Sequence, residues 1–277
     1  MTDEFIALED ALRSIAETGP LVVSYTNAVT IDSVANTTLQ WGGLPVMSAD
    51  EREAADMLGL AGACLINMGT VNETTEELML AAGRAAAELD VPVVFDPVGA
   101  GATPTRTRIA ERITTDVSPA IIKGNYGEIT ALTGDDADVR GVESVGEYAG
   151  IAETAIACAR ATDAVVVASG ATDIIATRDR AYELTTGHEL MGQFVGSGCM
   201  LGVTLATFVG GLEGDALQAA AAGTTAYGLV GERTAEKGAW NGPASYETAF
   251  LDTIANLEPA DLAAVDMDDH IELSAEG

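Results

Sequence analysis

Eight residues, VGSGCMLG (Val195 to Gly202), set three glycines around a single cysteine and lead into an apolar, helix-like run. Such a turn would bring the backbone N–H groups of Gly196, Ser197, Gly198 and Cys199 to one point at a helix N-terminus. Glycine lets the backbone approach a phosphate closely, and the helix dipole favours negative charge there. An isolated GxGC pattern more commonly forms a glycine-rich helix start that binds nothing. Two acids offer complementary chemistry. Asp96 follows the strand-like VPVVF and precedes Pro97-Val98-Gly99-Ala100-Gly101, so its carboxylate would stand at a strand end, facing a metal or water; otherwise Asp-Pro simply opens a turn. In GNYGEI, Asn125 and Glu128 are three apart, which puts them on one helical face. They read either as an N-cap with its capping-box partner or as an acid that also reaches a hydrated Mg²⁺. Neither GxxxxGK[ST] nor an early GxGxxG is present, which argues against a Walker-type loop and a dinucleotide fold.

Positioning these residues requires a sheet with helices on both sides. Short apolar runs at 21–26, 63–69, 91–98, 119–125 and 163–170 read as strands, and longer amphipathic runs alternate with them. That rhythm predicts βαβ units and a largely parallel sheet, with chemistry beyond the strands' carboxyl ends. Helices are expected over 4–17, 28–40, 73–89, 105–114, 145–161, about 199–211, 215–235 and 244–256. Residues 173–187 alternate with a period of two around an Arg-Asp-Arg turn, the pattern of an antiparallel hairpin at a sheet edge. From about residue 258 the chain is acidic and expected to be loosely held. At 277 residues, without repeats or a low-complexity linker, residues 1–277 are expected to form a single α/β domain.

Charge narrows the partners. Thirteen Lys and Arg against 43 Asp and Glu give a formal net charge of -30, which would repel nucleic acid and anionic membrane surfaces. The acids are spread along the chain, and the lysines are Lys123 and Lys237 alone, as expected of a protein kept soluble in concentrated salt, where screening shrinks self-repulsion. The N-terminal stretch lacks the basic and apolar regions of a secretory signal, and no apolar run reaches membrane-spanning length. Cys64, Cys158 and Cys199 are an odd, widely spaced set that forms neither a disulfide framework nor a metal knuckle, so a reducing cytoplasm is expected. Cys64 and Cys158 lie in apolar contexts that suit buried packing residues. The sparse His188 and His270 are expected to be exposed or hydrogen-bonded, and Trp41 and Trp240 to pack.

Taken together, PLVVSYTN, GGLPVM, NMGTVNETTEELMLAAGRAAAELDVPVVFDPVGAGATPTRT, GNYGEI and VGSGC, in this order from Pro20 to about Phe250, resemble hydroxyethylthiazole kinase of the ribokinase-like superfamily. The resemblance implies a three-layer α/β/α sandwich with a largely parallel central sheet. It also implies ATP-dependent phosphorylation of 4-methyl-5-(2-hydroxyethyl)thiazole, a thiamine salvage step, with Mg²⁺, and a homotrimer with sites at subunit interfaces. By motif, Met47 and Gly196 match substrate-contacting positions with Asn27 nearby, and Lys123 and Ser169 match nucleotide-contacting ones, to which Ser197, Gly198 and Asn125 are added as ATP-binding residues. Asp96 and Glu128 match the acids around the metal and phosphate, and Cys199 matches the catalytic position. Departures lie at the substrate end: Val23-Ser24 replaces a usual His-Asn, Gly43-Leu44 a usual Ala-Ser, and Lys123 a frequent arginine. These leave room for a related kinase acting on hydroxymethylpyrimidine, or for a protein that binds nucleotide or thiazole without turnover.

A cysteine at the catalytic position is chemically tolerable. Phosphoryl transfer commonly passes through a loose transition state in which positioning and charge neutralisation outweigh base strength. The expectation is that Cys199 assists the acceptor hydroxyl without being indispensable.

Overall fold

The computed structural model describes residues 5–133 and 150–276. Along the chain come α1 (Leu8–Thr18), β1 (Leu21–Tyr25), α2 (Ile31–Gln40), β2 (Leu44–Met47), α3 (Ala54–Leu58), β3 (Ala63–Asn67), α4 (Glu73–Glu88), β4 (Val93–Asp96), α5 (Pro104–Val117), β5 (Ile121–Asn125) and α6 (Tyr126–Leu132). Then follow α7 (Ile151–Thr162), β6 (Val165–Ser169), β7 (Asp173–Ala176), β8 (Arg180–Leu184), α8 (Ser197–Gly211), α9 (Ala216–Lys237), α10 (Pro243–Ala255) and β9 (Ile271–Glu276). The strands of the described residues form one sheet in the order β2-β1-β3-β4-β5-β6-β7-β8-β9. Pairings from β2 through β6 are parallel, and those from β6 to β9 antiparallel.

Side chains along a strand alternate between faces, and here the alternation divides the core in two. Val22, Leu65, Val94, Ile121 and Val167 pack toward α1, α8, α9 and α10. Their neighbours Val23, Cys64, Ile66, Phe95, Ile122 and Val166 pack toward α3, α4, α5 and α7. Because both faces are covered, the parallel strands run mostly apolar up to polar residues at or near their carboxyl ends, rather than alternating apolar and polar. The expected α/β/α sandwich is therefore present. The Asn72 side chain and Thr75 close a capping box at the start of α4, and Thr103 caps α5 with Pro104 at its first position.

Three features depart from the sequence expectation. β2 and α3 are too short for a periodic signal, four and five residues, and exist because β1 and the α4 face receive them. The helix expected over 145–161 runs from Ile151 to Thr162, and 145–149 lie outside the described residues. The segment from 258 is not loosely held: short 3₁₀ turns at Pro259–Leu262 and Met267–Asp269 lead into β9, which pairs with β8. Acidity had masked the alternation of Ile271, Leu273 and Ala275 with polar residues, and pairing covers an otherwise open sheet edge. Glu272 stands opposite Glu183, a like-charge pair that concentrated salt would screen. No helix of the described residues is long and apolar enough to cross a membrane.

Candidate active site

Asn67, Asp96, Asn125 and Ser169 end four adjacent parallel strands, with Lys123 two residues inside β5. Over these ends lies the first turn of α8, capped by Gly196 at φ 103°, a left-handed conformation that favours glycine. A Cβ on Gly196 would also meet Thr30 Cγ2 at 2.9 Å. The opening N–H groups of a helix have no intrahelical acceptor, so those of Ser197, Gly198 and Cys199 are available to a ligand. Tyr227 on α9 anchors this turn by donating to the Ser197 carbonyl at 2.8 Å; burial, the largest influence, pushes its phenol well above the ordinary value.

On one side of the turn is a buried polar cluster. Asn67 Nδ2 donates to Asp96 Oδ2 at 2.7 Å and to Cys199 Sγ at 3.3 Å. Asn27 Nδ2 donates to Asn67 Oδ1 and to Thr30 Oγ1, both at 2.8 Å, and lies 3.5 Å from the same sulfur. Asn27 Oδ1 accepts from the Val29 and Thr30 N–H groups, so the residue organises its own loop as well as approaching the thiol. Cys199 is partly exposed, unlike Cys64 and Cys158, which are buried and whose thiols burial pushes up to about 12. From α5, Arg106 donates to the carbonyls of Met68, Gly69 and Val98. It thereby ties together the loops that follow Asn67 and Asp96.

On the other side is the charged pair. Lys123 Nζ lies 3.5 Å from Asp96 Oδ1, an ion contact rather than a hydrogen bond, and both side chains are at most 5% exposed. Burial pushes the Asp96 carboxyl up, resisted by the Lys123 charge. For Lys123, burial works against the ammonium, but Asp96, Glu128 and Cys199 together hold its pKa above the usual lysine value. A Cβ on Gly198 would sit 3.0 Å from Lys123 Nζ, which places the ammonium directly beneath the α8 terminus. Glu128 accepts from the Gly99 N–H and the Asn125 N–H, each at 2.8 Å, while Asn125 Oδ1 accepts from the Glu128 N–H. The capping box is thus real, and the same carboxylate also braces the glycine turn after β4.

Asp96 Oδ1 is buried with no hydrogen-bond partner, and among the described residues no three His, Cys, Asp or Glu side chains converge. That donor set suits a Mg²⁺ that keeps its water and shares phosphate ligands, and does not suit an all-protein cage.

Beside the α8 turn opens a cleft of about 690 Å³, lined by Ser169, Gly170, Asp173, Thr186, Ser197, Gly198 and Tyr227 among others. Ser169 donates to the Gly124 carbonyl at 3.3 Å. Asp173 accepts from the Gly170 N–H, and burial pushes its carboxyl up to about 6. The structure thus gathers Asn27, Asp96, Lys123, Asn125, Glu128, Ser169, Gly196, Ser197, Gly198 and Cys199 around one helix end. Met47 closes the edge strand β2 beside Ser24, partly buried against the α8-side core, with no recorded bond to the cluster.

Of the substrate-end departures, Val23 points into the α4-side core and Leu44 is exposed at the sheet edge. Gly43 is closely packed, and a Cβ there would meet Thr38 and Thr207 at 3.1 Å. Asn67, Arg106 and Tyr227 were not singled out from the sequence. A polar residue closing an apolar strand, as Asn67 does, was the available signal for the first.

A model of the hydroxyethylthiazole kinase family matches residues 12–260. A hydroxyethylthiazole kinase from Natronomonas pharaonis is 63% identical over 259 residues, covering 93% of each chain. One from Haloquadratum walsbyi is 57% identical, covering 94% of this chain and 91% of the relative. Among solved structures, hydroxyethylthiazole kinase protein from Pyrococcus horikoshii OT3 superposes with a TM-score of 0.86 at 30% identity, covering 97% of this chain and 99% of that one. A ribokinase-like superfamily protein from Enterococcus faecalis, at 12% identity and a TM-score of 0.64, shares the fold.

Proposed function

This chain belongs to the hydroxyethylthiazole kinase family, and on that premise we propose how its residues carry the reaction. It is a phosphotransferase that moves the γ-phosphoryl of ATP to the alcohol of 4-methyl-5-(2-hydroxyethyl)thiazole, in thiamine salvage. ATP occupies the cleft beside β6 to β8 with its phosphates at the Ser197, Gly198 and Cys199 amides. Lys123, held charged beneath that turn, neutralises the phosphate end, and Ser169 and Asn125 border the nucleotide. The acceptor hydroxyl lies at Cys199, with Gly196, Asn27 and Met47 on its side. The observation that carries this reading is the meeting of three things at one helix N-terminus: an anion-binding turn, a buried lysine and a thiol.

Asp96, through its unbonded Oδ1, and Glu128, through its remaining lone pairs, would hold Mg²⁺ mainly by way of water. The chemistry such an ion would supply is neutralisation of the charge carried by the phosphates during transfer. The protein supplies alignment and preorganised donors, and in a loose transition state the attacking oxygen needs little base assistance. Cys199 therefore orients the hydroxyl, and its thiolate form takes the proton late, as the acceptor oxygen bonds to the γ-phosphorus and the bond to ADP breaks.

We read the assembly as a homotrimer. Exposed Val29 and Ile31 flank Thr30, and exposed Val195 precedes Gly196, so apolar surface surrounds the Thr30–Gly196 contact. A mass of three times the 28.4 kDa chain in light scattering would support this, and a monomer would refute it. Residues 1–277 are taken as one kinase domain, since the strands of the described residues share one sheet, and free thiols support a cytoplasmic placement.

The activity is tested by ADP release from ATP and Mg²⁺ in molar KCl, with hydroxyethylthiazole, hydroxymethylpyrimidine or no acceptor. Turnover with the thiazole alone is expected. Preference for the pyrimidine, or silence from folded protein with both, would overturn the assignment.

A further inference from the structure

Asn67 ends β3 fully buried, opposite Asp96 in the parallel register. Its carboxamide touches both the acid and the thiol. Its Oδ1 accepts from Asn27 Nδ2 at 2.8 Å and from the Gly69 N–H at 3.0 Å, which engages both lone pairs. Its Nδ2 carries two hydrogens and faces two acceptors, Asp96 Oδ2 at 2.7 Å and Cys199 Sγ at 3.3 Å. Turning the amide over would set its NH₂ against two N–H donors and its oxygen against a carboxylate, so the orientation is dictated by its surroundings. Asn27 also nears the sulfur, at 3.5 Å, but both of its Nδ2 hydrogens have shorter acceptors in Thr30 Oγ1 and Asn67 Oδ1. Asn67 is therefore the residue with a hydrogen left for the sulfur.

We propose that Asn67 is a positioning residue for phosphoryl transfer, fixing Cys199 Sγ relative to Asp96 Oδ2 and so setting the direction from which the acceptor hydroxyl is held. The inference rests on the reading that Cys199 faces that hydroxyl. A cysteine side chain has one rotatable bond with three staggered wells, and one directional donor from a buried, fully bonded amide selects among them. Transfer rates depend steeply on such alignment, because small misplacements take the reactants out of near-attack geometry.

The test is a double-mutant cycle on kcat, with Asn67→Ala and Cys199→Ala alone and combined, in molar KCl with ATP and hydroxyethylthiazole. Asn67→Ala is expected to lower kcat about tenfold or more while KM for ATP stays within about twofold. In the Cys199→Ala background the same substitution should cost less than about threefold, because the group it acts through is gone. Full multiplication of the two single losses, or an Asn67→Ala enzyme with kcat within about twofold of the parent, would overturn the proposal. A Cys199→Ala enzyme running at the parent rate would instead remove the reading of Cys199 beneath it.

Should Asn67→Ala fold poorly, Asn67→Asp keeps the shape and the Oδ1 acceptor and leaves at most one hydrogen, which the nearer Asp96 claims. The same kcat loss is expected and parent-like kcat would overturn the proposal. Should Cys199→Ala turn over too slowly to complete the cycle, a crystal structure of the Asn67 variant decides. A displaced or multiply placed Sγ over an unchanged Gly196–Met200 backbone supports the role, and the parental rotamer overturns it.

Discussion

The two ends of the reaction line are held by different means. At the proposed acceptor end, Asn27, Asn67, Asp96 and Cys199 are tied by side-chain hydrogen bonds of 2.7 to 3.3 Å, drawn from four separate segments of the chain. At the proposed nucleotide end, an open cleft is lined by glycines and polar side chains beside the first turn of α8, with Lys123 buried beneath that turn. The difference follows the physics of the task. A polyanion is attracted by field, which a helix terminus and a charge supply with tolerance for small shifts. A weakly basic thiol beside a hydroxyl works only by placement, so it is fixed by a network of directional bonds.

Replacing the acid that joins the two ends should have the largest effect. Asp96→Asn removes the counter-charge of a buried lysine along with the unbonded oxygen assigned to Mg²⁺. We expect kcat to fall about 10³-fold, and thermal melts to show a loss of up to about 3 kcal/mol, because the partner charge stays buried. A kcat within about tenfold of the parent would dissolve the distinction between the ends.

Gly198→Ala probes the nucleotide end alone. The added Cβ would press on Lys123 Nζ at 3.0 Å, and the ammonium, at the end of a flexible chain, can give way. KM for ATP should rise about tenfold, equivalent to about 1.4 kcal/mol, with KM for the thiazole unchanged. A matching rise in the thiazole KM would mean that the ends are not separable.

Asp173→Asn should do least, and to stability. The Asp173 carboxyl is raised by burial to about 6 in the folded chain, so folding favours its protonated form. The sign follows: its favourable contribution is full below the ordinary carboxyl pKa and is lost as pH rises through about 6. The substituted amide would keep an oxygen acceptor for the Gly170 N–H and bear no charge. We expect a gain of about 1 kcal/mol in melts at pH 7.5 that disappears below about pH 4, since the partly exposed group is screened. An equal gain at both pH values would show that charge burial is not its cause.

How much of this was legible in the sequence divides along the same line. The nucleotide end is written locally: glycines before α8 and Asn125 with Glu128 three apart announce themselves within a few residues, as does Asp96, the acid joining the two ends, after its apolar run. The sandwich was legible too, since apolar runs buried on both faces alternate with amphipathic helices. The acceptor end was only half legible. Cys199 stood out among its glycines, but Asn67 becomes meaningful only once β3 and β4 lie side by side, and Arg106 only once α5 returns over two loops. The same holds for β9, whose acidic residues gave no sign of the strand it joins until β8 offered an edge. Long-range pairing, not local propensity, decides such features.

Placement rather than basicity at Cys199 is the central claim, and kcat for Cys199→Ala and Cys199→Asp, measured beside ATP affinity, tests it most directly. The account predicts that Cys199→Ala keeps a measurable fraction of the parent rate, with a loss of about 10- to 10²-fold, and that Cys199→Asp stays active. An inert Cys199→Asp enzyme that still binds ATP normally would contradict it.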